Sequence, residues 1–236
     1  MPATRGATAK GRMPLPHANA DQPHANAAIF AAGAPLEQAD AAVIAIHGRG
    51  ASAADIVGLA AEVAPASAAI VAPQAAGATW YPFRFLEPIA RNEPYLSSAL
   101  ALIDRLIGEI AAAGIDRKRI ALLGFSQGAC LALEYLARHA ARYGAAIGFS
   151  GGLIGPPGTR FAYPGSLAGT PVLLGCSDVD PHIPLARVEE TATVLRAMNA
   201  DVTLRIYPGM GHTVNRDEID LAQKMLAPLA GAAGAS

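Results

Sequence analysis

Six short, mostly unbroken apolar runs, alternating with longer helical stretches, constrain this 236-residue chain more than any other feature. The runs are AAVIAI (41–46), AAIVAP (68–73), RIALLGFS (119–126), AAIGFS (145–150), PVLLGC (171–176) and DVTLRIY (201–207). Each is of strand length and most lack the polar alternation of a sheet with one wet face, so they predict strands buried on both faces. Between and after them lie 52–64, 94–114, 127–144, 184–200 and 216–230, where apolar residues recur every three or four positions, as at Leu100, Ile103, Leu106 and Ile110. That spacing gathers them on one helical face. Strands alternating with amphipathic helices bury both kinds of face as a mainly parallel sheet with helices on each side, an α/β fold. Ligands of such open sheets bind at the carboxyl ends of the strands, so the residues just after each run are where chemistry is expected.

Composition excludes several classes of function. A formal net charge of -1, from 18 basic and 19 acidic residues, supplies no long-range field for nucleic acid or an anionic membrane. No run approaches the ~18 apolar residues that suggest a membrane span. The expected partner is a small molecule, with no nucleic acid and no membrane insertion; the oligomeric state is not set by the sequence. Residues 1–27 repeat PHANA at 16–20 and 23–27 and lack apolar periodicity, so they read as a flexible extension ahead of a domain at 28–236. They hold no apolar core of a secretory signal. Two cysteines, Cys130 and Cys176, make no disulfide framework, and a reducing, cytoplasmic location is the simplest expectation. His17 and His24 are too weak a pair to expect a metal there.

The run at 119–126 leads through Gly124-Phe125-Ser126-Gln127-Gly128 straight into a helical stretch. In a sharp strand-to-helix turn, glycines on either side let the backbone pass closely and the middle serine is thrust out at the edge of the sheet. A serine hydroxyl needs a base to take its proton and a carboxylate to orient that base. Both follow in the order this turn requires. The run at 171–176 opens onto Ser177-Asp178-Val179-Asp180-Pro181-His182, and the run at 201–207 onto Pro208-Gly209-Met210-Gly211-His212. Asp180 is the expected partner of His212, because it precedes a stretch stiffened by Pro181 and Pro184, where the next helix starts. Asp178 is expected to cap the turn or bond its own backbone. A metal site from Cys176, Asp178, Asp180 and His182 would mix soft and hard ligands without a recognised spacing.

The loop after 41–46, His47-Gly48-Arg49-Gly50-Ala51-Ser52, is placed to supply one backbone donor of an oxyanion hole, from Arg49, with the other from Gln127. His47 is expected to support this loop, and the Arg49 side chain to contact substrate or solvent. His139 would place a favourable charge at a helix C-terminus. The loop 74–95 carries Trp80, Tyr81, Phe83 and Phe85, of which Trp80, Tyr81 and Phe83 are candidates to line an acyl or aromatic pocket, with packing beneath the loop as the alternative. The stretch 153–170 is short and turn-rich, too little for a large cap domain.

HGRGAS, GFSQG, DPHIP and GMGH resemble the motifs of the phospholipase/carboxylesterase family of α/β hydrolases, which includes acyl-protein thioesterases, over roughly residues 41–226. The resemblance implies an α/β-hydrolase domain in which Ser126 is nucleophile, Asp180 carboxylate, His212 base, and Arg49 and Gln127 the oxyanion donors, with no metal or organic cofactor. Ser177, Asp178 and His182 make the aspartate loop more polar than is usual in that family, and the TWYPFRF stretch at 79–85 departs from a long-chain acyl groove. An open, partly aromatic site makes small esters, aryl esters among them, the expected substrates. Lactone or thioester hydrolysis is the alternative, and a non-catalytic binding protein a more distant one.

Overall fold

The computed structural model describes residues 21–231. They build one seven-stranded sheet in the order β1 (Ile29–Gly33), β3 (Ala68–Pro73), β2 (Ala41–Ile46), β4 (Ile120–Phe125), β5 (Ala145–Phe149), β6 (Pro171–Ser177) and β7 (Asp201–Tyr207). Every pairing from β3 across to β7 is parallel, and β1 lies antiparallel against β3. The six apolar runs are thus six strands and the α/β topology follows as expected, but only five are buried on both faces: β7, at the sheet edge, has no buried residue.

Alternation within the runs explains the two cores. Ala42, Ile44 and Ile46 of β2 face one side, with α2 (Tyr95–Ala112), α3 (Gln127–Arg138) and α4 (Leu185–Ala197) packed over them. Ala41, Val43 and Ala45 face the other, under α1 (Ala53–Val63) and α5 (Arg216–Leu226). Leu100, Ile103, Leu106 and Ile110, the periodic set of α2, are all buried in the first core. Each such side chain contributes about 1.5–3 kcal/mol by leaving water.

Three boundaries differ from the sequence reading. β1 was not expected: it is short, all but Ala32 of its residues are exposed, and its backbone pairs only along the edge formed by β3. The expected extension does not run to residue 27, since His24 is fully buried. Its amide donates to Ser98 Oγ at 2.9 Å, and its ring bonds the Trp80 carbonyl at 3.0 Å and the Ala76 amide at 3.1 Å. Burial lowers the pKa of this imidazole, whose two nitrogens are committed to the backbone. The remainder of that expectation, residues 1–20 with His17, lies outside the described residues. Finally, the helical pattern of 127–144 ends at Arg138, because Tyr143 turns back into the core and its hydroxyl donates to the His139 carbonyl at 2.9 Å. His139 stacks on Tyr135 with ring centroids 4.2 Å apart.

Between β5 and β6 the chain makes neither helix nor strand, so this segment forms no cap domain over the carboxyl edge. This segment is instead tied down by buried Arg187, which donates to the carbonyls of Leu153, Gly155 and Pro156 at 2.7–3.2 Å. No helix among the described residues is long and apolar enough to cross a membrane.

Candidate active site

β4 ends at Phe125 and α3 begins at Gln127, leaving Ser126 alone in the turn with φ 55° and ψ -119°. A non-glycine residue at positive φ carries strain that the surroundings must over-determine. Two observations show how they do. The Ser126 amide donates to the Phe149 carbonyl at 2.9 Å, and its carbonyl accepts from the Cys130 amide at 3.0 Å. The flanking glycines permit the approach: a Cβ on Gly128 would stand 2.1 Å from the Ile46 carbonyl oxygen, and one on Gly124 would stand 2.4 Å from the Gly128 backbone.

The serine hydroxyl lies 2.9 Å from His212 Nε2, and His212 Nδ1 lies 2.6 Å from Asp180 Oδ2. Because an ionised carboxylate only accepts, Nδ1 donates to Asp180 and Nε2 is left to accept from the serine hydroxyl. Asp180 is fully buried in its side chain. Desolvation pushes its pKa up, but the bonds from His212 and from the amides of His182 (2.8 Å) and Ile183 (3.0 Å) outweigh that and hold the carboxyl below its ordinary value. Cys176 sits 3.9 Å away; burial pushes its pKa up to about 12, so it stands beside Asp180 as a neutral thiol. Asp178 bonds across to the amide of Gly209 at 2.8 Å rather than to its own backbone, joining the aspartate loop to the histidine loop. The His182 ring meets that of His212 edge-on at 4.8 Å, and Phe125 closes its other side at 4.9 Å.

Ser126 and His212 open into a cavity of about 320 Å³ whose walls include Tyr81, Arg84, Phe85, Phe125, Cys130 and Ile183. Arg49 and Gln127 also border it, but their side chains are turned to another task. The Arg49 guanidinium donates to the carbonyls of Tyr81, Pro82 and Phe83 at 2.7–2.9 Å, so its hydrogen bonds go to that loop although the residue is exposed. Gln127 accepts from the Trp80 amide at 2.9 Å and donates to the Tyr81 carbonyl at 2.8 Å. Together they clamp the aromatic loop over the serine. What each leaves for an oxyanion is its backbone amide. In the first turn of a helix such amides, Gln127's among them, have no intrahelical acceptor.

The aromatic loop corrects two of the three candidate substrate contacts. Trp80 is fully buried beneath the loop, its indole donating to the His47 carbonyl at 2.8 Å and lying against the His47 ring, so it is packing. Phe83 points outward, 41% exposed, with the Arg91 guanidinium 4.2 Å from its ring centre. Tyr81 alone of the three borders the cavity, joined by Phe85. His47 supports its loop as expected: Nδ1 donates to the Gly48 carbonyl at 2.7 Å and Nε2 accepts from the Ala75 amide at 3.1 Å. Burial lowers its pKa, which suits that neutral tautomer.

A carboxylate that sequence reasoning passed over sits behind the histidine loop. Glu218 is the third residue of α5, fully buried, and completes a capping box with Asn215, three residues after His212. One oxygen accepts from the Asn215 amide at 2.9 Å; the other has no partner and fills the space where a Gly175 Cβ would be. Burial, reinforced by Asp217, pushes its pKa from the ordinary 4.5 up to about 7, against the Asn215 bond. Between those two values the unfolded chain has lost this proton while the folded chain keeps it, so stability falls as pH rises through that window. Glu218→Gln, which cannot ionise, should therefore gain roughly 2–3 kcal/mol relative to the parent between pH 5 and pH 8 in urea denaturation. A difference independent of pH would show that the carboxyl does not titrate there.

A serine held in such a turn, at the carboxyl edge of such a sheet and in reach of a carboxylate-bound histidine, is the arrangement that defines the α/β hydrolases. The family is more specific. A family model for phospholipase/carboxylesterase proteins matches residues 26–229, and the chain belongs to that family. A phospholipase/carboxylesterase structure from Dyadobacter fermentans DSM 18053 is 44% identical with a TM-score of 0.82, the match covering 86% of this chain and 97% of that one. Acyl-protein thioesterase 1 of Gibberella zeae is 29% identical over 145 residues, 60% of this chain and 62% of that protein. A Yersinia pestis protein bearing the provisional name carboxymethylenebutenolidase is 37% identical over 109 residues, 44% of this chain and 40% of that protein. The chain thus spans less than two thirds of the length of these two curated relatives.

Proposed function

We propose that the protein hydrolyses small carboxylic esters, aryl esters among them, through an acyl-enzyme on Ser126. The observation that carries this reading is the unbroken relay from Ser126 Oγ to His212 at 2.9 Å and from His212 to Asp180 at 2.6 Å. In the first step Ser126 Oγ bonds to the carbonyl carbon as its proton passes to His212 Nε2, and Asp180 stabilises the imidazolium. The carbonyl oxygen, now negative, is met by the backbone amides of Gln127 and Arg49. The C–O bond to the alcohol then breaks, and His212 returns its proton to the leaving oxygen. Water then bonds to the acyl carbon as the same nitrogen takes its proton, the bond from that carbon to Ser126 Oγ breaks, and His212 passes the proton to Oγ, releasing the acid and restoring the serine.

Substrate size follows from the cavity, whose volume of about 320 Å³ lies at the small end for ligand pockets. Tyr81, Phe85 and Phe125 give it aromatic walls, and no cap domain among the described residues closes it. The names carried by relatives make thioesters and lactones the second reading. Turnover of 4-nitrophenyl esters from acetate to laurate tests the first: activity should be highest for acyl chains of a few carbons and fall toward laurate. Inactivity on every open-chain oxygen ester, with turnover of acyl thioesters or butenolides, would install the second reading instead.

A further inference from the structure

We infer that Arg84 selects substrates bearing a carboxylate away from the scissile carbonyl, an inference that rests on the ester-hydrolase reading above. The side chains at the mouth of the cavity that can carry charge near neutral pH are all basic, and its fixed charges are the two arginines. Arg49, Arg84, His182 and His212 border it, and no aspartate or glutamate does. Asp180, the nearby acid, is buried behind His212 and fully engaged by it and by two amides. Arg49 has its guanidinium committed to three carbonyls. Arg84 differs: among the described residues its guanidinium makes one long contact, 3.5 Å to the His182 carbonyl, and no ion pair. Elsewhere in the protein Arg91, Arg105, Arg138, Arg187 and Arg216 each pair with a glutamate or aspartate on the same helix or turn, and Arg119, Arg142 and Arg196 are held by backbone carbonyls.

The backbone beneath Arg84 is fixed rather than loose. Buried Asn92 accepts from the Phe83 amide at 2.9 Å and donates to the Arg84 carbonyl at 3.2 Å, and the Glu87 amide donates to that same carbonyl at 3.1 Å. A long cation is therefore presented from an anchored stalk, beside the nucleophile, with its fork of donors almost unspent. A planar guanidinium matches a carboxylate with two parallel bonds, which a neutral ester group cannot offer. Monoesters of short dicarboxylic acids, or aryl esters whose leaving group carries a carboxylate, have the chemistry this arrangement recognises.

The test compares charged and neutral substrates of one shape: mono-4-nitrophenyl adipate against 4-nitrophenyl hexanoate for the acyl side, and 4-acetoxybenzoate against phenyl acetate for the leaving side. In at least one pair the anionic ester should have the higher kcat/KM. Arg84→Gln should lower the ratio of anionic to neutral kcat/KM in that pair about 5- to 20-fold, chiefly through KM for the anionic ester. Arg84→Lys should recover part of the loss, and added salt should narrow the preference in the parent. Equal kcat/KM within both pairs, or a preference untouched by Arg84→Gln, overturns the inference while leaving the hydrolase reading intact. No turnover of any of the four esters removes the hydrolase reading and this inference with it.

Discussion

Ser126→Ala is expected to lower kcat for ester hydrolysis by about 10⁵- to 10⁶-fold, the loss found where a serine nucleophile acts as one unit with its base. No neighbouring group replaces it. Cys130 borders the same cavity, but burial pushes its pKa up to about 12, so at neutral pH it offers no thiolate. His212 would still hold its bond to Asp180, so the variant keeps a site able to bind ester and unable to be acylated. Because the hydroxyl is lost from a turn whose strain the backbone bonds and Gly128 hold, thermal stability should change little. An activity retained within tenfold would mean that hydrolysis proceeds elsewhere.

The two aspartates of the 177–182 loop should separate sharply. Asp180→Asn is expected to cost about 10³- to 10⁴-fold in kcat, and Asp178→Asn less than about fivefold. Geometry decides the first. Asp180 Oδ1 accepts from the amides of His182 and Ile183, so an asparagine there must keep its carbonyl oxygen on that side and turn its NH₂ toward His212. His212 Nδ1 would then have to accept, leaving the proton on Nε2, where it cannot take one from the serine. At position 178 the carboxylate only accepts from the Gly209 amide, and asparagine offers the same acceptor. Steady-state kinetics of the two variants against one ester measures the contrast; equal losses would mean that loop integrity, not tautomer control, is what Asp180 supplies.

What could be read from residues alone was whatever has a local period or a fixed order. The buried strands announced themselves as continuous apolar runs, and the Ser, Asp, His order at three strand ends located the relay before any distance was known. β1 escaped because Ile29–Gly33 is an exposed edge strand, with no buried face to write a pattern. The direction of the aromatics in 79–85 was also illegible, since an irregular loop has no period from which to tell inward Trp80 from outward Phe83. Their placement depends on Arg49 and Gln127, which grip that loop from 32 to 47 residues away in sequence. Glu218 looked like an ordinary acidic residue of a helix first turn, and only the packing of α5 on β6 shows that its second oxygen is buried without a partner. His24 gave no sign of burial, because the core that receives it is built from residues 76–98.

The central claim is that Ser126 is the group acylated, and covalent capture tests it most directly. The intact protein is treated with a fluorophosphonate, digested, and the modified peptide identified by mass spectrometry. The account predicts one adduct per chain, on Ser126, absent in Ser126→Ala and formed much more slowly in His212→Ala. Ester hydrolysis that continues undiminished without an adduct on Ser126, or an adduct carried by another residue, would contradict it.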